Sequence, residues 1–565
     1  MPRPAKLARH TRDARRRARR RAGRAYHKRP IRSPDPRRRL GSGEGGPLIR
    51  DTEIRLEPER VAAPAEVTRA AAARLGVDAG AIRHVAILRR SIDGRRRPPV
   101  YVLRARVWID ETPVAERPWE LPLRDVRAAR PAVIVGGGPA GLFAALRLIE
   151  GGVRPIVLER GRDVRGRRRD VARLARDGIV DPESNYCFGE GGAGTFSDGK
   201  LYTRSSKRGD VERILRILVQ HGAPADILVD AHPHIGTNRL PGVVEALRKT
   251  IVAHGGEVRF GVRVDDLALA GGEVRGVVNA SGERVDGAGV ILATGHSARD
   301  VYRLLRRRGV RLEAKPFALG VRVEHPQALI DRIQYHCDVR PAGLPAAPYG
   351  AVRRVGERSV YAFCMCPGGI ICPAMTAPGE VVVNGWSPSS RSSRFANAGI
   401  VVETTTEDLR AFGGDDVFAG LRLQALTERA AADAGGDACT APAQRLDDFV
   451  AGRVSADLPA CSYGPGLRSV DLAAVLPSRV TAALREGFRE FGRLMRGYLT
   501  HDAVVVGVET RTSAPVRIPR DPRTGMHPGV RGLFPCGEGA GAAGGIASAA
   551  MDGERAAAAL LRALA

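Results

Sequence analysis

The chain has 565 residues, of which 43% are hydrophobic and 67 are glycine; this length and composition exclude a small disulfide scaffold and predict two or three globular α/β domains. The formal net charge is +28, but more than half of that excess lies in the first 50 residues, so the charge does not indicate a nucleic-acid-binding body. Eight cysteines in no regular pattern are typical of reduced thiols, and we expect a cytoplasmic protein.

Residues 1–46 are expected to form a disordered, arginine-rich tail, because they contain three arginine triplets and almost no apolar side chains. Such a tail can bind nucleic acid or other polyanions only non-specifically, through phosphate contacts, since Tyr26 is its one aromatic residue. Two other interpretations stay open, namely a solvated tail without a partner and a misassigned translation start. The basic residues are not followed by an apolar stretch of the secretory type.

Residues 47–125 are expected to form a small accessory domain of α+β type. The hydrophobic pattern predicts the order strand, helix, strand, strand, with Pro64 at the first position of the helix. The expected elements are Leu48–Leu56, Pro64–Leu75, Ile82–Ile87 and Val100–Ile109. This unit contains no catalytic constellation.

The most informative motif is a strand, a glycine-rich turn and a helix within residues 131–149, followed by a strand that ends in Glu159. In this pattern Gly136 makes the tight turn, Gly138 lets the backbone approach a pyrophosphate, and Gly141 allows close helix packing. The unpaired N–H groups at the helix N-terminus attract the negative phosphates. The motif therefore predicts a site for the ADP half of a dinucleotide.

Four further residues belong to this nucleotide site. We expect Glu159 to accept hydrogen bonds from the ribose hydroxyls of an adenosine, and Pro139, Ala140 and Arg160 to line the site beside it. Residues 131–149 are also the longest apolar run, but the glycine turn inside it argues against a membrane span. We expect no membrane association.

The dinucleotide-binding domain is expected to be Rossmann-like and to consist of two segments, residues 126–304 and 506–565. Residues 305–505 between them are expected to form an inserted α+β substrate domain. The elements expected within the insertion are strands at Phe317–Val323, Ser359–Cys364 and Glu380–Asn384 and helices at Leu409–Ala432 and Arg479–Arg496.

Several long strings make a family resemblance specific. They are Phe188–Lys200, His234–Thr237, Ala293–Asp300, Cys364–Gly369, Glu509–Arg520 and Gly537–Gly541. Over about residues 48–563 the sequence resembles a bacterial family of uncharacterised FAD-dependent dehydrogenases, also called NAD(P)/FAD-dependent oxidoreductases. The resemblance implies a glutathione-reductase-like FAD-binding domain with FAD as cofactor.

The resemblance also implies roles at the flavin end of the site. Glu538, which follows Gly537, would accept hydrogen bonds from the ribityl chain. The helix that begins near Gly544, Gly545 and Ile546 would aim its N–H groups at the flavin pyrimidine edge, where reduced flavin is negative. Further cofactor contacts are expected from the loop that holds Gly194 and Thr195, from Val264 (or Val262) beside the adenine, and from the turn Ala293, Thr294 and Gly295.

The catalytic residues are not identified by the sequence. His296, Tyr361, Cys366 and Arg394 are polar candidates for the substrate side, although the sequence favours a structural over a catalytic role for each of them. Cys364 and Cys366, with Cys372 nearby, allow either a redox dithiol or a turn beside the flavin, since their spacing matches neither CxxC nor an iron–sulfur pattern. We expect no metal site.

These features predict an FAD-dependent oxidoreductase that transfers a hydride between an unidentified small molecule and flavin. Only one dinucleotide fingerprint is present, so either the substrate itself reduces the flavin or NAD(P)H docks transiently as an electron donor. Two alternatives stay open, an FAD-dependent RNA-modifying enzyme and a non-enzymatic flavin-binding protein.

Overall fold

The computed structural model describes residues 48–114, 117–203, 209–436 and 439–565. The expectations for residues 1–46 lie outside this range. The described residues form a mixed α/β fold that contains a parallel sheet. None of the helices in these four stretches is both long and apolar enough to cross a membrane.

The N-terminal unit has the strand, helix, strand, strand order that the sequence predicts. Its three strands form an antiparallel sheet in the order β1-β3-β2, and the helix packs on one face, with Val67 and Ala71 against Leu103 and Val107. Arg90 joins this unit to the rest of the fold through an ion pair of 2.7 Å with Asp230. The elements are β1 (Leu48–Leu56), α1 (Pro64–Leu75), β2 (Ile82–Asp93) and β3 (Val100–Ile109).

The next segment builds most of the second unit. Its elements are β4 (Pro131–Val135), α2 (Pro139–Glu150), β5 (Arg154–Glu159), α3 (Val164–Asp177), α4 (Val211–Gln220), α5 (Leu240–Ala253), β6 (Glu257–Phe260), β7 (Val264–Ala270), β8 (Glu273–Asn279), β9 (Arg284–Asp286), β10 (Val290–Leu292) and α6 (Arg299–Arg307). Strands β7, β8 and β9 form an antiparallel meander.

A long insertion follows, and the chain then returns to the second unit. The insertion contains β11 (Glu313–Ala314), β12 (Ala318–Pro326), α7 (Gln327–Tyr335), β13 (Val352–Val355), β14 (Arg358–Cys366), β15 (Ile370–Pro373), β16 (Val383–Trp386), β17 (Phe395–Glu403), α8 (Thr406–Arg410), α9 (Ala419–Gly435), β18 (Ala441–Arg445), α10 (Leu446–Ala451), β19 (Leu467–Ser469), α11 (Ser478–Leu494) and β20 (Val504–Glu509). The returning elements are β21 (Val516–Arg517), β22 (Leu533–Pro535) and α12 (Ile546–Leu564).

The parallel sheet of the second unit has the order β22-β10-β4-β5-β6. The strands of this sheet are buried because helices pack against it. Helices α2 and α12 contact each other through their backbones, since a Cβ on Gly553 of α12 would overlap the carbonyl oxygen of Ala140 in α2. Strands that are distant in sequence therefore end side by side, and the N-termini of α2 and α12 lie at the same edge.

The insertion has its own core around a seven-stranded sheet of order β13-β14-β17-β12-β20-β18-β19. Strand β20 pairs with β12 and β18, so the expected boundary at residue 505 falls inside a strand of this sheet. The single helix expected at Leu409–Ala432 was wrong, because the structure has two helices there. Helix α8 ends at Arg410 and α9 begins at Ala419, since Gly413 and Gly414 between them adopt φ values of +107° and +56°.

Candidate functional site

A cavity of about 380 Å³ opens at the carboxyl ends of the parallel strands. All of the cofactor residues expected from the sequence line it except Gly141, Thr195 and Gly537. The lining comes from the turn after β4, the end of β5, the loop that precedes Leu201, the turn after β10 and the start of α12. Segments far apart in sequence therefore share one site, as expected for ligands bound at the carboxyl edge of an open parallel sheet.

The turn between β4 and α2 leaves a helix N-terminus facing the cavity. Gly138 is the N-cap of α2, Pro139 follows at the first helical position, and no side chain in the described part of the chain caps this end. A Cβ on Gly138 would stand 3.8 Å from Gly192, at ordinary contact distance. Gly141 lies behind the turn, where a Cβ would overlap the carbonyl oxygen of Gly136. Gly141 thus serves packing, and the N–H groups at the start of α2 carry no side-chain cap, which is the arrangement that attracts anions at helix N-termini.

Glu159, at the end of β5, is buried and binds backbone rather than side chains. Its Oε2 accepts from the N–H of Gly137 at 2.7 Å, and its Oε1 accepts from Gly161 at 3.0 Å and Gly189 at 2.9 Å. A carboxylate with three such donors fixes the positions of three loops at the cavity wall. The sequence predicted a ligand contact for Glu159, and the structure adds this anchoring of the loops.

The loop from Gly189 to Lys200 is organised by a buried arginine that the sequence analysis missed. Arg167 of α3 is fully buried and donates to the carbonyl oxygens of Asn185, Tyr186 and Glu190 at 2.7–2.8 Å. Burial lowers its pKa to about 10. Thr195 points away from the cavity, because its hydroxyl donates to the Glu190 carbonyl at 2.8 Å.

Arg160 and its neighbours form the wall next to β5 and β7. The guanidinium of Arg160 lies between Glu183 at 2.9 Å and Asp300 at 3.0 Å, and 4.3 Å above the ring of Phe188. Both valines considered for the adenine, Val262 and Val264, line the same wall. The charge of Arg160 on this wall is thus paired, and the two valines supply apolar surface beside it.

The turn after β10 packs directly against the glycine turn after β4. The N–H of Ala293 donates to the carbonyl of Val135 at 2.9 Å, and a Cβ on Gly136 would stand 2.7 Å from the carbonyl oxygen of Ala293. With φ of +108°, Gly136 also adopts a backbone conformation that other residues avoid. Thr294 and Gly295 follow on the cavity floor.

Glu538 lines the cavity beside His296. Its Oε2 is 3.7 Å from Nε2 of His296, and burial raises the pKa of Glu538 to about 7. Burial lowers the pKa of His296 to about 4, so this imidazole is neutral near pH 7. The preceding Gly537 does not line the cavity; its N–H donates to Asp552 of α12 at 2.8 Å. The first residues of α12 complete this part of the cavity wall.

The inserted domain supplies the remaining wall. Of the four polar candidates from the sequence, His296 lines the cavity, whereas Tyr361, Cys366 and Arg394 lie outside it. Cys364, which the sequence offered as part of a dithiol or of a turn beside the flavin, does line the cavity, and so does Lys200 of the dinucleotide-binding domain. Four lining residues were not expected from the sequence: Phe363, Asn384, Arg511 and Thr512. These residues reach the cavity because the two domains pack against each other, and a local sequence pattern does not show that packing.

Known proteins match this chain as follows. Residues 316–512 match the family described as "FAD-dependent protein, C-terminal domain-like", and residues 48–108 match "Domain of unknown function (DUF8436)". An "Uncharacterized protein" of Clostridium beijerinckii is 43% identical over 429 residues, 75% of this chain and 79% of that protein.

Solved structures give weaker matches. The structure of CtdE in complex with FAD is 11% identical with a TM-score of 0.29, over 73% of this chain and 78% of CtdE. The flavin-dependent brominase Bmp2 is 13% identical with a TM-score of 0.34, over 77% of this chain and 79% of Bmp2.

Proposed function

Because this chain belongs to the family of the Clostridium beijerinckii protein and carries the FAD-dependent C-terminal domain, we propose that it is a flavoprotein oxidoreductase that transfers a hydride between an unidentified small molecule and FAD. FAD is its cofactor. When bound, the flavin supplies the two-electron chemistry, and the protein supplies position and electrostatics. One observation carries the proposal: the N-termini of α2 and α12 and the carboxyl of Glu538 meet at one cavity.

The nucleotide half of the cavity fits the ADP part of FAD. The N-terminus of α2 offers unpaired N–H groups for a pyrophosphate, and the absent side chain of Gly138 leaves the backbone open to it. Glu159 and Val264 line the adjoining wall, where they would contact the ribose and the adenine. This arrangement supports a glutathione-reductase-like mode of FAD binding.

The other half fits the flavin. Glu538 would hold the ribityl chain, and Gly544, Gly545 and Ile546 would present the N-terminus of α12 to the pyrimidine edge. The positive end of this helix stabilises negative charge there by about 0.3–1 kcal/mol, or more where the site is buried. The shape of this end depends on a further glycine, since a Cβ on Gly194 would press on Cγ1 of Ile546 at 3.0 Å.

Residues at the flavin end can also hold a proton. With a pKa of about 7, Glu538 exchanges a proton at its carboxyl near neutral pH, while the neutral His296 is 3.7 Å away and available as a hydrogen-bond partner. Asn384 of the inserted domain, and Arg511 and Thr512 just after its last strand, line the same cavity. We therefore place the small-molecule substrate between these residues and the flavin end.

The proposal is tested by anaerobic reduction of the purified yellow protein. NADH, NADPH and a panel of amino, hydroxy and unsaturated acids are added separately while the visible flavin absorbance is recorded. At least one donor should bleach the flavin, and reduction by NADPH or NADH would identify a transiently docking nicotinamide. A flavin that dithionite bleaches and every donor leaves oxidised would instead support a non-enzymatic flavin-binding protein.

A further inference from the structure

Strand β14 contains an irregularity where it faces the cavity. Phe363 lies opposite Gly399 of β17 and Cys366 lies opposite Asn397, so β14 has one extra residue between these pairs. Within this bulge Cys364 adopts a φ of +46°, which non-glycine residues rarely do. Backbone strain of this kind is often found at functional sites, and here it belongs to the cysteine that lines the cavity.

A lysine from the other domain contacts both cysteines of this segment. The Nζ of Lys200 is 3.8 Å from Sγ of Cys364 and 3.6 Å from Sγ of Cys366. Cys364 lines the cavity, whereas Cys366 is fully buried behind it. One thiol is therefore accessible from the cavity, and the second is held beside it and beside the same cation.

The charges around the pair favour a thiolate. Asp198 is shared by Lys200 at 3.5 Å and Arg391 at 3.4 Å, while Arg322 forms its own buried ion pair of 2.8 Å with Glu509. Two cations share this one carboxylate, so an excess positive charge lies beside the pair and favours a deprotonated cysteine. The other titratable groups next to the pair, Tyr186 and Cys372, have pKa values raised by burial and stay neutral.

The pKa shifts of Cys364 and Lys200 agree with an excess positive charge beside the pair. A hydrogen bond from the Cys366 thiol, together with the charges of Lys200 and Arg322, lowers the pKa of Cys364 well below that of a free cysteine. The negative charge of Cys364 in turn raises the pKa of Lys200, against the effect of burial. The cavity-facing sulfur is thus the nucleophilic one.

We propose that Cys364 and Cys366 form a redox-active dithiol that exchanges two electrons with the flavin, an inference that rests on the proposed FAD-dependent function. When the Cys364 thiolate and the Cys366 thiol form one S–S bond, two electrons and one proton leave the pair, and oxidised flavin bound in the cavity would take up both the electrons and the proton. The reverse transfer reduces the disulfide. In a straight strand, residues two apart are separated by about 6.6–6.8 Å, which is near the upper limit for a disulfide; the bulge bends the strand at this point.

The decisive experiment counts electrons in the oxidised holoenzyme. During anaerobic titration with dithionite, the wild-type protein should take up about four electrons per flavin, two for the flavin and two for the disulfide. Cys366→Ser should take up about two. Cys372→Ser, which removes another buried cysteine that Lys200 does not contact, should behave like the wild type. A flavin-containing wild-type protein that takes up only about two electrons would overturn the dithiol and leave the proposed function intact.

A second measurement needs neither flavin nor turnover. In the reduced protein at pH 6–7, iodoacetamide should alkylate Cys364 faster than any other cysteine, as followed by peptide mass mapping. Lys200→Met should slow that alkylation by about tenfold or more, whereas Lys249→Met on the surface of α5 should not. Equal rates in the wild type and in Lys200→Met would overturn the proposal. A protein that purifies without flavin but shows the fast Cys364 would overturn the proposed function instead.

Discussion

Oε1 of Glu159 accepts a hydrogen bond of 2.9 Å from the backbone N–H of Gly189, thirty residues further along the chain. The same carboxylate also binds Gly137 and Gly161, so one side chain joins the dinucleotide turn to the loop on the other side of the cavity. The geometry of the nucleotide site therefore depends on a buried carboxylate that accepts from three backbone N–H groups.

Glu159→Gln should destabilise this junction, because the amide presents an NH₂ group to at least one backbone N–H in place of an acceptor. We expect the free energy of unfolding to fall by about 1–3 kcal/mol, together with weaker FAD binding. Urea denaturation of the apo-protein measures the first effect. Glu120→Gln, at an exposed position, serves as the control, and equal stability of the two variants would contradict the anchoring role.

Gly138→Ala should separate folding from cofactor binding. The new Cβ would be 3.8 Å from Gly192, so the apo-protein tolerates it, but it would project where the pyrophosphate is proposed to lie. We expect an unchanged melting temperature of the apo-protein and at least a tenfold loss of FAD affinity, measured by fluorescence titration. Gly242→Ala is the matched control, since no described atom lies within 4 Å of its Cβ position. Full FAD binding by Gly138→Ala would refute the assigned site.

Glu538 should make the apo-protein less stable as the pH rises. Burial raises its folded pKa to about 7, above the 4.5 of a free glutamate, so the protonated form is favoured in the folded state. Its stabilising effect is complete below about pH 4.5 and is lost by about pH 7, a change of up to about 3 kcal/mol. Subtracting the unfolding free energy of Glu538→Gln at each pH isolates this effect from that of Glu509, whose pKa burial also raises. A flat difference would contradict the shift.

Arg167→Met should disorder the loop before Lys200, because three carbonyl oxygens lose a buried donor at once. We expect a loss in unfolding free energy of about 1–3 kcal/mol for each carbonyl left without a donor, and faster proteolysis within residues 185–200. Limited proteolysis with mass mapping tests this. The control variant Arg168→Met changes the next residue of the same helix, which is exposed, and should be cleaved like the wild type. If Arg167→Met and Arg168→Met gave the same cleavage pattern, the loop-organising role of Arg167 would be contradicted.

The local part of the site could be predicted from sequence. The turn at Gly136 and Gly138 and the strand that ends in Glu159 depend on contacts within about one βαβ unit, whose residue pattern is set by backbone geometry. The same holds for the N-terminal unit, where the strand Val100–Ile109 was predicted with its observed bounds.

The rest depended on tertiary contacts. Arg167 lies in an arginine-rich helix, and its sequence neighbours do not show that this side chain points inward. The bulge in β14 turns Cys364 rather than Cys366 to the cavity, and the contact with Lys200 spans more than 160 residues. Such contacts follow from the pairing of two domains rather than from local periodicity.

The backbone contact between Gly553 and Ala140 also bears on how the protein matures in the cell. Helix α2 leaves the ribosome early, but its partner α12 is synthesised several hundred residues later. At about 5–20 residues per second, the delay is tens of seconds. During that time the nucleotide turn lacks one of the helices that hold it, and a nascent chain should be unable to capture FAD until translation has passed α12.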